Sequence, residues 1–160
     1  MKKGVVGKKM DLKSHQTGVL LLEIPRFGDD RGDFTNIPFD IRNRVRMVFK
    51  RSYIIVNNQV GVVRAFHGHK KESKLFYVPK GAFKFIIMDM KTKEWKEYCL
   101  LASVSKILYV PNGYYNGFVS LSENSILMVF STLKMEDSNK DDYRLPYDIL
   151  GKEVWEINNR

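Results

Sequence analysis

The hydrophobic positions of this chain fall into short runs separated by turn residues at close and regular intervals. Val19-Leu20-Leu21-Leu22-Glu23-Ile24 opens the series, and the turn-rich Gly28-Asp29-Asp30-Arg31-Gly32 follows it. Val45 to Val56 is dense in β-formers, and Gly61 to Phe66, Lys74 to Val78 and Ala82 to Met90 come next. Within the last of these, Phe83, Phe85 and Ile87 share one face at period two, which, with Met88, predicts core positions. Trp95 to Leu101, Lys106 to Val110, Gly117 to Leu121 and Ile126 to Thr132 complete the set. Turns stand between them at Pro79-Lys80-Gly81, Pro111-Asn112-Gly113 and Ser122-Glu123-Asn124-Ser125. Strands at this spacing predict a sandwich or barrel built from hairpins. Only the stretch after Met135 reads as a helical or irregular tail. With no internal repeat or low-complexity linker, the 160 residues predict one all-β domain.

Composition adds little to this and removes several function classes. Hydrophobic residues at 44% and aromatics at 12% are globular values. No run approaches the roughly 18 apolar residues of a membrane span. The basic start, Met1 to Lys9, leads into no apolar segment of a secretory signal, so a cytoplasmic chain with no membrane partner is expected. One cysteine, Cys99, excludes an internal disulfide and a multi-cysteine zinc site; in the run Tyr98-Cys99-Leu100-Leu101 it reads as a buried, inert thiol. The formal charge of +9 implies an anionic partner. Nucleic acid and a phosphorylated metabolite both satisfy it, as does a simply well-solvated surface. The cations are spread along the whole chain with no recognition-helix pattern.

The chemistry concentrates in Arg64-Ala65-Phe66-His67-Gly68-His69-Lys70. Residues i and i+2 of a strand point the same way, so His67 and His69 are expected side by side on the face of Ala65. Two imidazoles so placed suit a metal or a proton-transfer pair. Asp29-Asp30 and Asp141-Asp142 read as solvated loop acids, Trp95 and Trp155 as barrel or interface residues, and His15 as an unstructured or dimer-contact residue.

Gly61 to Gly81 and Pro111 to Asn116 resemble the two motifs of the cupin superfamily, which are small β-barrels with a polar pocket. That resemblance implies a cupin-type antiparallel β-barrel or jelly roll with a short irregular or helical C-terminal tail. Metal-binding cupins carry His-x-His, a glutamate, and a further histidine after a Pro-x-Gly turn. Here Glu72 comes one residue early and Asn116 replaces the last histidine, so no metal is expected.

Within cupins, the chain is similar to two families acting on dTDP-linked 4-keto-6-deoxy sugars. It resembles the dTDP-4-dehydrorhamnose 3,5-epimerases at Gly28 to Phe34, Gly61 to His67, Lys74-Leu75 and Leu108 to Phe118. It resembles the sugar 3,4-ketoisomerases (WxcM-like) at Lys50 to Ile55, His67 to Lys70 and Asp142 to Asp148. The resemblance implies an isomerase, without cofactor, that removes a proton α to the sugar ketone in surface-polysaccharide synthesis. It places His67 as the base, His69 as its partner and Asp148 as the carboxylate that orients the base. It places Arg31, Phe34, Arg64, Lys74, Tyr115 and Asn116 as substrate-binding residues, with Lys74 suited to stabilising the enolate. It further implies a nucleotide-sugar substrate, no nucleic-acid partner and a homodimer.

The epimerases' Tyr-Tyr pair, one member a catalytic acid, has no counterpart in Leu133-Lys134-Met135-Glu136. Tyr53, Tyr114, Tyr115 and Tyr143 are the candidate replacements. Epimerisation at C3 or C5 is the first expectation because of Lys74 and Pro111 to Phe118. 3,4-Ketoisomerisation is the second, and a non-catalytic sugar-nucleotide-binding cupin the third.

Overall fold

The computed structural model describes residues 18–41 and 45–157. The basic N-terminal stretch and His15 lie outside them. The predicted runs are strands throughout, and each sheet follows from which face of a run is apolar. Strand β1 (Leu20–Glu23) is followed by the β2 (Arg26–Asp29) and β3 (Gly32–Thr35) hairpin. Two short bridges, β4 (Asp40–Ile41) and β5 (Val45–Arg46), precede β6 (Arg51–Asn57), so residues 45–56 form two strands where the sequence suggested one. Then come β7 (Val63–His69), β8 (Lys74–Lys80), β9 (Ala82–Asp89), β10 (Trp95–Leu101), β11 (Lys106–Val110), β12 (Tyr114–Ser120) and β13 (Ser125–Ser131). Helix α1 (Met135–Lys140), the two-residue β14 (Tyr143–Arg144) and a 3-10 turn at Lys152–Trp155 make up the tail.

Two five-stranded sheets face each other, ordered β1-β11-β8-β13-β6 and β10-β9-β12-β7-β14. Every pairing is antiparallel, which is the jelly-roll form of the cupin fold. Alternation along the strands assigns the inner faces. Phe76, Val78, Phe83, Phe85, Ile87, Leu100, Leu108, Val110, Phe118, Leu127 and Val129 meet between the sheets. Burial of this many large apolar side chains, each worth about 1.5–3 kcal/mol, is the main force closing the sandwich. Met88, on the opposite parity of β9, packs instead on the outer face with Phe66, Ile86, Tyr115, Val119 and Trp155. The tail covers that face, and Trp155 donates its indole N–H to the Tyr147 carbonyl at 2.8 Å.

Two features of β7 position the site. The register between β7 and β12 pairs Asn116 with His67 but Phe118 with Arg64, so β7 holds one extra residue there. This bulge brings Arg64 and His67, three residues apart, to the same inner face. Gly117 lies opposite the bulge, where a Cβ would come within 2.5 Å of the Ala65 Cβ and 2.9 Å of the Trp155 ring. Only glycine permits that approach. β7 is also paired on both sides, by β12 and by β14.

Cys99 departs from expectation. It is exposed on the edge strand β10, because the inner positions of that run are Tyr98 and Leu100. Partial burial and Glu97 still hold its thiol above the ordinary value. No helix among the described residues is long and apolar enough to cross a membrane.

Candidate active site

The inner faces of β6, β7, β8 and β12 leave a cavity of about 350 Å³ at one end of the sandwich. Its polar lining is Tyr53, Arg64, His67, Lys74 and Asn116, and its apolar walls include Ile55, Ala65, Phe76 and Phe118. A larger, more open hollow of about 1050 Å³ lies near β1 and β10, but no histidine lines it. Convergent acid–base groups inside a partly apolar cleft mark the smaller cavity as the site.

His67 reaches the cavity from β7, and its Nδ1 lies 2.9 Å from Asp142 Oδ1. Asp142 stands immediately before β14, whose pairing with β7 sets Tyr143 opposite Gly68 and Arg144 opposite His67. Arg144 donates from Nε to the other carboxylate oxygen at 2.9 Å. Burial pulls the Asp142 carboxyl upward, but the bonds from His67 and Arg144 outweigh it and hold the group below the carboxylate range. An ionised Asp142 therefore accepts a hydrogen bond from the Nδ1–H of His67 and leaves the Nε2 lone pair for the cavity. This pair can accept a proton from a bound molecule and stabilise the resulting imidazolium.

Tyr53 approaches from the facing sheet. Arg51, Tyr53, Ile55 and Asn57 alternate along the inner face of β6, while Ser52, Ile54 and Val56 face outward and are exposed. Burial, reinforced by the negative charge of Glu72, pushes the Tyr53 phenol up to about 12. It stays protonated at neutral pH and is a donor. Arg64 donates from Nε to Asn57 Oδ1 at 3.0 Å, and Asn116 donates to the backbone carbonyl of His67 at 3.0 Å.

Behind the cavity lies a buried ionic cluster. Lys74 Nζ is 2.8 Å from His69 Nε2 and 3.5 Å from Glu72 Oε2. Glu72 is 2% exposed. It accepts from Arg51 at 3.1 Å, from Ser138 at 2.8 Å and from Ser131. Removing a carboxylate from water costs several kcal/mol, so this many donors are needed to keep it charged. Burial alone would raise the Glu72 carboxyl, but Lys74, Ser131, His69 and Ser138 together lower it. Asp141 accepts the backbone N–H groups of Lys70, Lys71 and Glu72 and so fixes the turn after His69.

Four of the residues expected at the site line the cavity: His67, Arg64, Lys74 and Asn116. Five do not. His69 is 4% exposed and sits behind Lys74 rather than at the cavity wall. Asp148 is an exposed turn residue whose carbonyl accepts from Gly151 N–H; the carboxylate on His67 is Asp142, six positions earlier. Tyr115 points to the outer face against Gly68, because Asn116 takes the inner parity of β12. Arg31 and Phe34 lie on the exposed β2–β3 hairpin, Arg31 paired with Asp29. Asp141 and Asp142 are ordered hydrogen-bond acceptors, not solvated loop acids. The signals for Tyr53 and Arg51 were the period-two alternation of β6, and for Asp142 its adjacency to a short β run.

Among the described residues, no group of three or more His, Cys, Asp or Glu is arranged to hold a metal ion. The Nε2 of His69 already faces an ammonium.

The family model described as FdtA: WxcM-like, C-terminal, matches residues 17–152. The chain belongs to the WxcM-like FdtA family. It is 28% identical over 137 residues to the spore coat polysaccharide biosynthesis protein SpsL of Bacillus subtilis (strain 168), covering 82% of this chain and 89% of that one. Among solved structures it is similar to the dTDP-4-dehydrorhamnose 3,5-epimerase of Bacillus anthracis str. Ames, which holds TDP and pyrophosphate. That likeness has a TM-score of 0.79 at 27% identity, covering 92% of this chain and 90% of the other. It also shares its fold with the 3,4-ketoisomerase QdtA of Thermoanaerobacterium thermosaccharolyticum in complex with TDP. There the TM-score is 0.68 at 23% identity, covering 86% and 94% of the two chains.

The buried His69 gives the fold a measurable acid sensitivity. Burial first, and Lys74 second, lower its pKa below the ordinary 6.5. The unfolded chain then binds a proton that the folded chain refuses, so stability is full above about pH 6.5 and declines as pH falls toward the folded value. Thermal melts of the wild type should fall between about pH 7 and pH 5.5, and His69→Gln should flatten that slope. Identical slopes in the two proteins would show that His69 is not held neutral.

Proposed function

We propose that this protein isomerises a nucleotide-linked 4-keto-6-deoxyhexose by removing a proton from the carbon beside the ketone, in surface-polysaccharide synthesis. The observation that carries the reading is the oriented His67–Asp142 pair on one wall of a cavity whose facing wall is lined by Tyr53. The ketone makes the neighbouring C–H acidic enough for a positioned imidazole, provided the enolate oxygen is stabilised. His67 Nε2 takes that proton and Asp142 stabilises the imidazolium. Lys74 supplies positive charge at the cavity wall, and Arg64 at the cavity supplies a guanidinium suited to the nucleotide's phosphates. No cofactor is required for these steps.

Because His67 and Tyr53 belong to opposite sheets, a ring held between them meets base and acid on opposite faces. Return of the proton from Tyr53 inverts the carbon, which favours epimerisation at C3 or C5. The epimerase likeness at 27% identity supports the same outcome. A second reading is 3,4-ketoisomerisation, favoured by the absence of a phenol in the segment leading into α1, where Leu133 and Lys134 precede Met135.

Arg31 and Phe34 complete the reading only if a second copy is present. The directly paired Phe27 and Phe34 are 61% and 63% exposed on a hairpin separate from both main sheets. A homodimer would cover these rings. Sedimentation equilibrium should show a dimer that Phe27→Ser/Phe34→Ser weakens; a monomer at all concentrations refutes the assembly.

Incubation with dTDP-4-keto-6-deoxyglucose in D2O, followed by NMR, tests the reaction. Deuterium at C3 or C5 with inverted product is expected, whereas a 3-keto product would select the second reading. His67→Asn should lose about a hundredfold or more of the rate and Asp142→Asn a comparable amount. Absence of exchange in the wild type, with TDP binding intact, would leave a sugar-nucleotide-binding protein without this catalysis.

A further inference from the structure

The contact between Lys74 and His69 has a constrained proton inventory. An ammonium has donors only, so at 2.8 Å from Lys74 Nζ the His69 Nε2 must present a lone pair. The ring proton then sits on Nδ1, 3.0 Å from Glu72 Oε2, close enough for electrostatic pairing though not aligned as a hydrogen bond. The reverse state, a neutral lysine accepting from an imidazolium, holds the same number of protons. A pair with both groups charged would set two cations in contact inside the fold. The charged neighbours are Glu72, Asp141 at 4.0 Å from His69 Nδ1, Arg51 through Glu72, and Asp142 farther off. Glu72 is itself immobilised by Arg51, Ser131 and Ser138. Of the two, only Lys74 lines the cavity.

We propose that Lys74 is the proton donor to the sugar's carbonyl oxygen, and that His69 is the positioning residue that shares its proton. This role rests on the reading of the cavity as a 4-keto-sugar site. As His67 takes the carbon-bound proton, the C–H electron pair becomes the C=C bond. The carbonyl π pair takes a proton from the Lys74 ammonium, giving a neutral enol (an enediol when the proton leaves C3) and a neutral amine. On return, the enol O–H gives its proton back to Lys74 while carbon is reprotonated by Tyr53, and His67 and Tyr53 re-equilibrate with solvent. In the ketoisomerase outcome, Lys74 instead recovers its proton from the C3 hydroxyl and His67 returns its own to C4. Burial lowers the Lys74 pKa despite the opposing charge of Glu72, which brings the lysine nearer the range where it exchanges protons.

A fixed cation and a donor make different predictions for arginine, which keeps its charge but does not release a proton. Lys74→Arg should lose kcat by about a hundredfold or more, as severely as Lys74→Met, while TDP still raises the melting temperature of both. His69→Gln should shift the pH profile of kcat and leave KM nearly unchanged. Retention of wild-type kcat to within about tenfold in Lys74→Arg overturns the donor role.

A second arm needs no activity. Long-range 15N–1H spectra of the full-length protein over about pH 5 to 8 should show His69 as the neutral Nδ1–H tautomer, with its titration midpoint raised in Lys74→Met. An Nε2–H tautomer, or an unmoved midpoint, overturns the shared proton. If the NMR arm holds but the wild type exchanges no substrate proton, the substrate reading falls and takes the donor role with it. If the wild type is active and Lys74→Arg stays active, the donor role alone falls.

Discussion

The pairing of β14 with β7 is the constraint on which the site depends. Two residues of strand, Tyr143 and Arg144, lie along Gly68 and His67, and the backbone bonds between Phe66 and Leu145 extend that pairing. This docking delivers Asp142 to the His67 ring and Asp141 to the turn after His69. One short segment thereby orients the His67 imidazole and fixes the loop leading to Glu72 and Lys74. The outer apolar face, sealed by Trp155 against Phe66, holds the rest of the tail in place. Packing on the outside of one sheet thus determines acid–base geometry on its inside.

The interior is divided by chemistry along the same strands. At one end the inner positions are aromatic and aliphatic, and at the other they become Arg51, Tyr53, His67, His69, Lys74 and Asn116. Buried ionic groups contribute little net stability when weighed against apolar replacements of similar volume. Their presence here fits a site that has to hold and move protons. The Glu72 carboxylate, ringed by donors, is the anchor that allows Lys74 to remain at the cavity wall.

The fold was legible because its signal is repetitive. Period-two alternation in β9 and turn chemistry at regular intervals predicted a sandwich or barrel of hairpins, the cupin resemblance implied its barrel or jelly-roll form, and β10 and β11 fell on the residues expected. His67 was legible from its local cluster, and Arg64, Lys74 and Asn116 from the family resemblance. Asp142 was obscured because sequence adjacency to Asp141 suggested a solvent-facing pair, while the structure turns both carboxylates to β7 and its following loop. Tyr115 and Asn116 show the limit of a motif: a strand sends neighbours to opposite faces, and only the register decides which enters the cavity. Arg31 and Phe34 are local sequence matches whose hairpin stands apart from the cavity of its own chain.

The central claim is that the hexose ring sits between a base on one sheet and a phenol on the other. A crystal structure of His67→Asn with dTDP-4-keto-6-deoxyglucose bound tests it most directly. The account predicts the C3 or C5 hydrogen directed at residue 67, the Tyr53 hydroxyl on the opposite ring face and Lys74 Nζ at the carbonyl oxygen. A sugar bound outside this cavity, or one with residue 67 and Tyr53 on the same ring face, would contradict it.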